Sequence, residues 1–341
     1  MEKTIVIFPE AEKKPPMRTG SNPQKTQKKI ALKTNHRVVV VVFIPALTGY
    51  YQNSLEVFEL CIKSLILANN GHYSITLVNN GSCSEVEDLI ESYSSEEIDC
   101  IIHHRQNIGK IDALVGAARG AREELITLSD ADILYKPNWD SAIYEIFNAF
   151  KKAGSVSPIS FRHGLFYGTS SVFKQILFGR IKFSYLPVPE NFDDQNKYLS
   201  SINWNNEKND QVKWPIVSRN GVRAIVGSGH QVITIKREVL FSTVPKIPSL
   251  TLVGGDSENK YIDEPIDKAG LMRLSTYQNF AYHMGNQVED WMHNIPSGQK
   301  LNIQSQDISP SEKKKRKTPS HKVYILKKHL LKTLFKLRYP G

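Results

Sequence analysis

The chain has 341 residues, 40% hydrophobic and 23% charged, with a formal net charge of +10. This is the composition of a globular protein with a sizeable core, and it excludes a fibrous or wholly disordered chain. Residues 1–37 carry nine Lys/Arg against three acids and residues 313–341 carry eleven against none, so the span between them has a net charge of −7. Basic ends on an acidic body suit contact with anionic surfaces. A nucleic-acid groove would place the basic charge on the body itself, so no nucleic acid is expected. Cys61, Cys83 and Cys100 form no CxxC pair, which favours reduced thiols and a cytoplasmic setting. The opening "MEKTIVIFPEAEKK" lacks the apolar core of a signal peptide. The longest apolar run, "VVVVVFIPAL", has ten residues, too few to span a bilayer.

Residues 1–36, rich in Lys, Pro, Gln, Thr and Asn, read as a disordered basic arm. "RVVVVVFIP" is β-branched throughout, as in a strand buried on both faces. "NSLEVFELCIKSLILANNG" has a cap at Asn53 or Ser54 and a stop at Gly71, the marks of a helix. "YSITLVNNGS", "IDCIIHHRQNIGK" and "LITLSDADILY" read as further strands, separated by the helical segments "SEVEDLIESYSSEE" and "IDALVGAARGAREE". This alternation predicts parallel βαβ units with ligands at the carboxyl ends of the strands. "SAIYEIFNAFKKAG" is a helix, and residues 157–222 read as a long irregular insertion. "RAIVGSGHQVITIKREVL" gives a glycine turn, a strand and a helix start; a short helix begins near Pro265, and a strand lies near Thr276–Tyr282. The expected division is an arm over 1–36, a ligand-binding βαβ half over 37–150, a second half with the irregular insertion over 151–295, and a linker with a basic tail helix over 296–341.

Asp130, Ala131 and Asp132 stand at the end of the fourth strand. Two carboxylates there repel each other and are costly to desolvate, which a cation between them would offset. A hard divalent ion such as Mn2+ or Mg2+ takes carboxylate oxygens and shares its remaining positions with phosphate and water. On a strand, side chains separated by one intervening residue point the same way. In "QNIGK", Gly109 lets the backbone approach a ligand and Lys110 offers a point charge for a phosphate, or the pair is a glycine stop with a solvated lysine. Asp112 reads as a cap of the following helix. Trp139 reads as core packing or as a sugar platform, and Trp204 and Trp214 as stacking candidates in the insertion.

"VFIPA", "LVNNGSCSEVEDLI", "RQNIGKIDALVGAARGA" and "LITLSDADILYKPNW" occur in the order and spacing of the family 2 glycosyltransferases, and the chain resembles that family over about Val38–Trp139. The resemblance resumes at "AIVGSGHQVITIKREVL" and "YIDEPID…AYHMGN". It implies a GT-A fold, an α/β sandwich with a mostly parallel sheet flanked by helices. It also implies inverting transfer of a sugar from a nucleoside diphosphate sugar to a hydroxyl, in cell-surface polysaccharide or glycolipid assembly. By the same resemblance, Pro45 and Ala46 meet the nucleobase and ribose. Asn79 and Asn80 stand where the family has an acid or acids on the base. Gly109, Lys110, Asp130, Ala131 and Asp132 hold the diphosphate. The base is an acid at the head of a helix, which Glu264 (preferred) and Asp263 both satisfy. His283 completes the metal site with Asp130 and Asp132. His230 lies beside a glycine turn near the sugars. The acceptor implied is a carbohydrate or a lipid-linked group.

The tail "KVYILKKHLLKTLFKLRY" sets Val323, Leu326, Leu330, Leu334 and Leu337 on one helical face among basic residues. This is the pattern of a helix lying in a membrane interface, so an anionic membrane surface is an expected partner of residues 313–341. The alternative functions are a sugar-1-phosphate nucleotidyltransferase, whose glycine-rich first loop "PALTGYYQN" does not supply, and a non-catalytic binder of polyanions or membranes.

Overall fold

The computed structural model describes residues 20–26, 30–294 and 319–340. Contacts divide the chain into Met1–Leu32 and Lys33–Gly341. In the first unit, Pro23–Thr26 forms a 3-10 turn. The other regular elements belong to the second unit. Most of the expected arm and the linker after residue 294 lie outside the described residues, as does the basic run 313–317.

The strands are β1 (His36–Val42), β2 (Ser74–Asn79), β3 (Cys100–His103), β4 (Leu125–Asp130), β5 (Ile133–Tyr135), β6 (Ala153–Ser157), β7 (Lys182–Pro187), β8 (Lys213–Arg219), β9 (Val222–Val226), β10 (Val232–Lys236), β11 (Met272–Thr276) and β12 (Ala281–His283). The helices are α1 (Ser54–Leu67), α2 (Ser84–Glu91), α3 (Lys110–Gly120), α4 (Trp139–Ala149), α5 (Ser170–Leu177), α6 (Phe192–Ser201), α7 (Arg237–Ser242), α8 (Glu264–Lys268), α9 (Asp290–His293) and α10 (His321–Arg338). Ten strands form one sheet in the order β3-β2-β1-β4-β10-β6-β11-β9-β8-β7. Strands β3, β2, β1 and β4 pair in parallel, while β10 runs antiparallel between β4 and β6. Only β10, β9 and β7 oppose the rest, so seven of the ten strands share one direction.

The all-buried pattern of β1 has the predicted cause. Val38, Val40 and Val42 join the core under α1 and Trp139, while Val39 and Val41 join a second core under α3, α7 and α8. One strand thus serves two layers, as its unbroken β-branched run requires. Trp139 is fully buried against Tyr73 and Tyr135, so the packing reading holds and the sugar-platform reading does not.

Three sequence readings differ from the structure. The segment 125–135 is not one strand: it breaks after Asp130, and Ile133–Tyr135 leaves the main sheet to pair with β12. Residues 157–222 are not an irregular insertion, since α5, β7, α6 and β8 lie there. Their short periods and the prolines in β7 and β8 masked the pattern, and β7 is ordered by antiparallel pairing with β8 at the sheet's edge. The helix expected from Pro265 starts earlier. A π-helical turn, Asn259–Asp263, leads directly into α8. No helix among the described residues is long and apolar enough to cross a membrane.

His36 is buried at the start of β1, with its ring nitrogens 2.7 Å from Tyr144 Oη and 2.7 Å from Thr127 Oγ1. Burial, with a smaller push from His72, lowers its pKa to about 3. The folded state therefore keeps His36 neutral where the unfolded chain protonates it. The stability this gives is present above pH 6.5 and is lost as the pH falls towards 3. We expect unfolding free energy, measured by urea titration, to drop by about 2 kcal/mol more between pH 7 and pH 5 in the native chain than in His36→Gln.

Candidate active site

The carboxyl ends of β1, β2, β3 and β4 meet at one edge, where three loops build a cleft of about 550 Å3. Its walls include Val41–Ile44 at the end of β1, Tyr50 and Tyr51, Asn80, Lys110, and Asp130–Asp132. Pro45 and Ala46, expected at the nucleobase, stand exposed beyond β1 and are not among the lining residues. The chain has already turned outward there, and the aromatic pair Tyr50–Tyr51 offers the ring surface instead.

The two asparagines after β2 have separate tasks. Asn79 is fully buried; its Oδ1 accepts the Ser82 N–H at 2.8 Å and its Nδ2 faces Glu87 and His103, so it shapes the turn and does not line the cleft. Asn80 lines the cleft and braces the next loop. Its Nδ2 donates to Asn107 Oδ1 at 2.9 Å and its Oδ1 accepts the Ile108 N–H at 3.1 Å. Asn107 Oδ1 in turn accepts the Gly109 N–H at 2.8 Å. Gly109 has φ +95°, and a Cβ there would sit 2.3 Å from the Thr251 carbonyl oxygen, so only glycine fits. Asp112 does not cap α3 as expected. It accepts the N–H groups of Ser249 and Leu250 at 2.7 and 2.9 Å and so anchors the loop whose Leu252 and Val253 close one side of the cleft. An acid in a helix's first turn suggests a cap, but here a distant segment supplies unpaired donors that it serves better.

Lys110, at the head of α3, reaches across to Asp130, with Nζ 2.7 Å from Oδ1 and 2.8 Å from Oδ2. Burial pushes the Asp130 carboxyl up against the pull of Lys110, and the lysine, despite its own burial, is held above its ordinary pKa by Asp130. Asp132 has a different partner. The pairing of β12 with β5 sets His283 opposite Ile133, and the Met284 N–H donates to the Asp132 carbonyl at 2.8 Å. His283 Nε2 then lies 3.3 Å from Asp132 Oδ2, and its Nδ1 lies 2.8 Å from Ser201 Oγ. Burial disfavours charge on both groups. Their mutual attraction outweighs it, holding Asp132 below the usual carboxylate range and His283 above the usual histidine value. Asp132 Oδ1 is buried and has no hydrogen-bond partner among the described residues.

The metal set of Asp130, Asp132 and His283 is therefore gathered at one place but divided into two ion pairs. Among the described residues, no three His, Cys, Asp or Glu side chains are arranged to hold a metal ion by themselves. The partnerless Asp132 oxygen fits a cation all the same, because a hard divalent ion bound to a diphosphate needs only one or two protein ligands. Asp130 is the member whose charge Lys110 already meets.

Of the two expected bases, Glu264 points away from the cleft. Its carboxylate lies 2.9 Å from Lys268 Nζ and 3.6 Å from His321 Nδ1 at the start of α10. The π turn rotates the helix between residues 258 and 264, so proximity in sequence does not carry Glu264 to the site. Asp263 is fully buried, with Oδ1 2.6 Å from Arg273 Nη2 and Oδ2 3.3 Å from His230 Nδ1. With no exposed surface and both oxygens engaged, it offers no free face to an acceptor hydroxyl. A further acid near the site is Glu258, which does not itself line the cleft. It stands at the head of the same helix after Gly254-Gly255, and its charge acts on both Lys110 and His230. Burial works against its ionisation, but its own backbone N–H, Lys110 and Ser257 lower its pKa. Its mark in the sequence is "GGDSE", a glycine pair followed by an acid at a helix head.

Residues 42–198 match the family model described as glycosyl transferase family 2. No curated protein matches the chain. Among solved structures, the mannosyltransferase PcManGT from Pyrobaculum calidifontis in complex with GDP-Man and Mn2+ is similar at 14% identity and a TM-score of 0.41, over 74% of this chain and 57% of that one. TarS 1-349 from S. aureus in complex with UDP-GlcNAc is similar at 10% identity and a TM-score of 0.42, over 76% of this chain and 61% of that one. The chain thus spans less than two thirds of the length of these structures. Over residues 42–198, a little under half of its length, the chain is thus similar to glycosyl transferase family 2.

Proposed function

We propose that the protein transfers a sugar, with inversion, from a nucleoside diphosphate sugar to a hydroxyl of a carbohydrate or lipid-linked acceptor, in cell-surface polysaccharide or glycolipid assembly. The observation that carries this reading is the cleft at the strand ends, where Lys110, Asp130 and Asp132 form one polar end beside an apolar, aromatic wall. A nucleoside diphosphate has the complementary shape: a flat base for Tyr50 and Tyr51, and a doubly charged diphosphate that needs cationic partners. Lys110 would meet a phosphate directly, since its ammonium already stands at the cleft wall. Asp132 and His283, with Asp130 beside them, would hold Mn2+ or Mg2+. Such an ion supplies Lewis-acid neutralisation of the diphosphate as it leaves. Leu252 and Val253, on the loop tied to Asp112, would exclude water from the reacting sugar and so limit hydrolysis.

Inversion needs one base to take the proton from the acceptor hydroxyl as that oxygen attacks the anomeric carbon. Glu258 suits the task better than Glu264 or Asp263. It keeps 9% of its surface exposed, and its carboxylate accepts only the Ser257 hydroxyl and the Gly254 N–H from the other described residues and makes no salt bridge among them. Asp263, through His230 and Arg273, would instead hold the neighbouring turn in place.

Two measurements test this. Calorimetry against a panel of nucleoside diphosphates should find one that binds, more tightly with Mn2+ present. Asp132→Ala should remove the metal-dependent part and cut donor turnover by about a hundredfold or more. A folded Asp132→Ala protein with native turnover sinks the metal reading. Glu258→Gln should keep nucleotide affinity but lose roughly 10²–10⁴ in the transfer rate. Native turnover in that variant, together with an inactive Asp263→Asn, would move the base to Asp263.

A further inference from the structure

Helix α10 has two apolar faces, and the body uses only one. Tyr324 and Phe335 are buried, and Leu331 and Tyr339 pack partly against the core. Phe335 stacks on Phe173 with ring centroids 4.3 Å apart and meets Phe183 edge-on at 5.1 Å. The other face carries Val323, Leu326, Leu330, Leu334 and Leu337, all exposed, with Leu326 at 72% and Leu337 at 76%. At 3.6 residues per turn these five fall in one stripe turned away from the docked face. The same geometry sets Lys327 and Arg338 along one edge of the stripe, while Lys336 turns towards the Phe166 ring of the body. The helix contains no acidic residue.

We propose that this outward stripe docks on an anionic lipid bilayer. The leucines would enter the boundary between headgroups and acyl chains, while the flanking Lys and Arg side chains extend to lipid phosphates. Charge selects this occupant. A second copy pairing through the same face would bring basic edges together with no acid in the helix to neutralise them. A nucleic acid would meet the basic edge but leave a ridge of leucines against its phosphates.

The inward face makes this more than a tether. Tyr324 donates its hydroxyl to Asp267 Oδ2 at 3.0 Å, and Asp267 also accepts the Ser171 N–H at 2.7 Å and the Ser170 hydroxyl at 2.6 Å. Asp267 lies in α8, which continues directly from the π turn that ends at Asp263. A bilayer bound to α10 is therefore held in a fixed orientation relative to α8 and the π turn before it. The proposal stands on α10 and does not depend on the reaction proposed above.

Flotation of the full chain with vesicles tests it. Vesicles of equal parts phosphatidylcholine and phosphatidylglycerol should carry the protein, and phosphatidylcholine alone should not. Leu326→Ser/Leu330→Ser/Leu337→Ser and, separately, Lys327→Glu/Arg338→Glu should each weaken binding about tenfold or more. Both should keep the native melting temperature, since these side chains face solvent. Three results overturn the proposal: a native chain that ignores the anionic vesicles, variants that bind as the native chain does, and a native dimer in sedimentation that the leucine variant abolishes.

Discussion

Two carboxylates one residue apart beneath a protein surface cannot both stay charged unless cations stand beside them. The arrangement of the candidate site follows from how this chain meets that constraint. Asp130 receives Lys110 from the head of α3, and Asp132 receives His283 from β12. Each cation comes from a different part of the chain, so the acids tie the α3 loop and the β5–β12 ribbon to the end of β4. The break after Asp130 is part of the same solution. It releases the chain from the main sheet, so that β5 can pair with β12 and bring a residue about 150 positions distant to within 3.3 Å of Asp132. Among the described residues, Asp132 Oδ1 has neither a hydrogen-bond nor an ion-pair partner. A buried acceptor in that state costs stability, and such costs are characteristically retained where a ligand removes them.

The parallel half of the sheet was legible because its signals are local. An unbroken β-branched run can only be a strand covered on both faces, and Val38–Val42 divides its side chains between two cores as that rule requires. Glycine at 109 was legible for the same kind of reason: a tight loop before a helix needs a residue without a Cβ, and the Thr251 carbonyl fills the space. The site residues taken from motif order also reached the cleft where a strand end or helix head fixes them, as at Asn80, Lys110, Asp130 and Asp132. Asn79 and Pro45 lie one residue from lining positions and point elsewhere, because adjacent residues in a strand or turn face opposite ways.

What the sequence hid is non-local. The order of α5, β7, α6 and β8 depends on partners far along the chain, and short segments with prolines carry little period of their own. The acids near residue 260 illustrate a second limit. Read as an ordinary helix start, "YIDEPID" puts Asp263 and Glu264 at its head. The π turn inserts an extra residue into the helical register, so Glu264 rotates towards Lys268 and α10 while Glu258 takes the head of the helix. No propensity scale marks a π turn. Only the surrounding packing does, and here it is the buried Asp263–Arg273 pair that fixes the turn.

That pair and Asp267 join the two ends of the molecule's second half. Arg273, fully buried, donates to Asp263 and to the carbonyls of Tyr167 and Ser228. One turn further on, Asp267 collects donors from α5 and from α10. A buried carboxylate with several hydrogen-bond donors is costly to displace, because removing any one donor leaves an unmet charge. The helix from Ser257 to Lys268 is therefore fixed at both its flanks, by His230 and Arg273 through Asp263 on one side and by Tyr324 of the tail through Asp267 on the other. Rigid coupling of this kind gives a reason for the tail helix to be folded onto the body when its exposed leucines alone would suffice for attachment. A flexible anchor sets only how often the protein meets a surface, whereas a docked one also sets which way the cleft faces when it does.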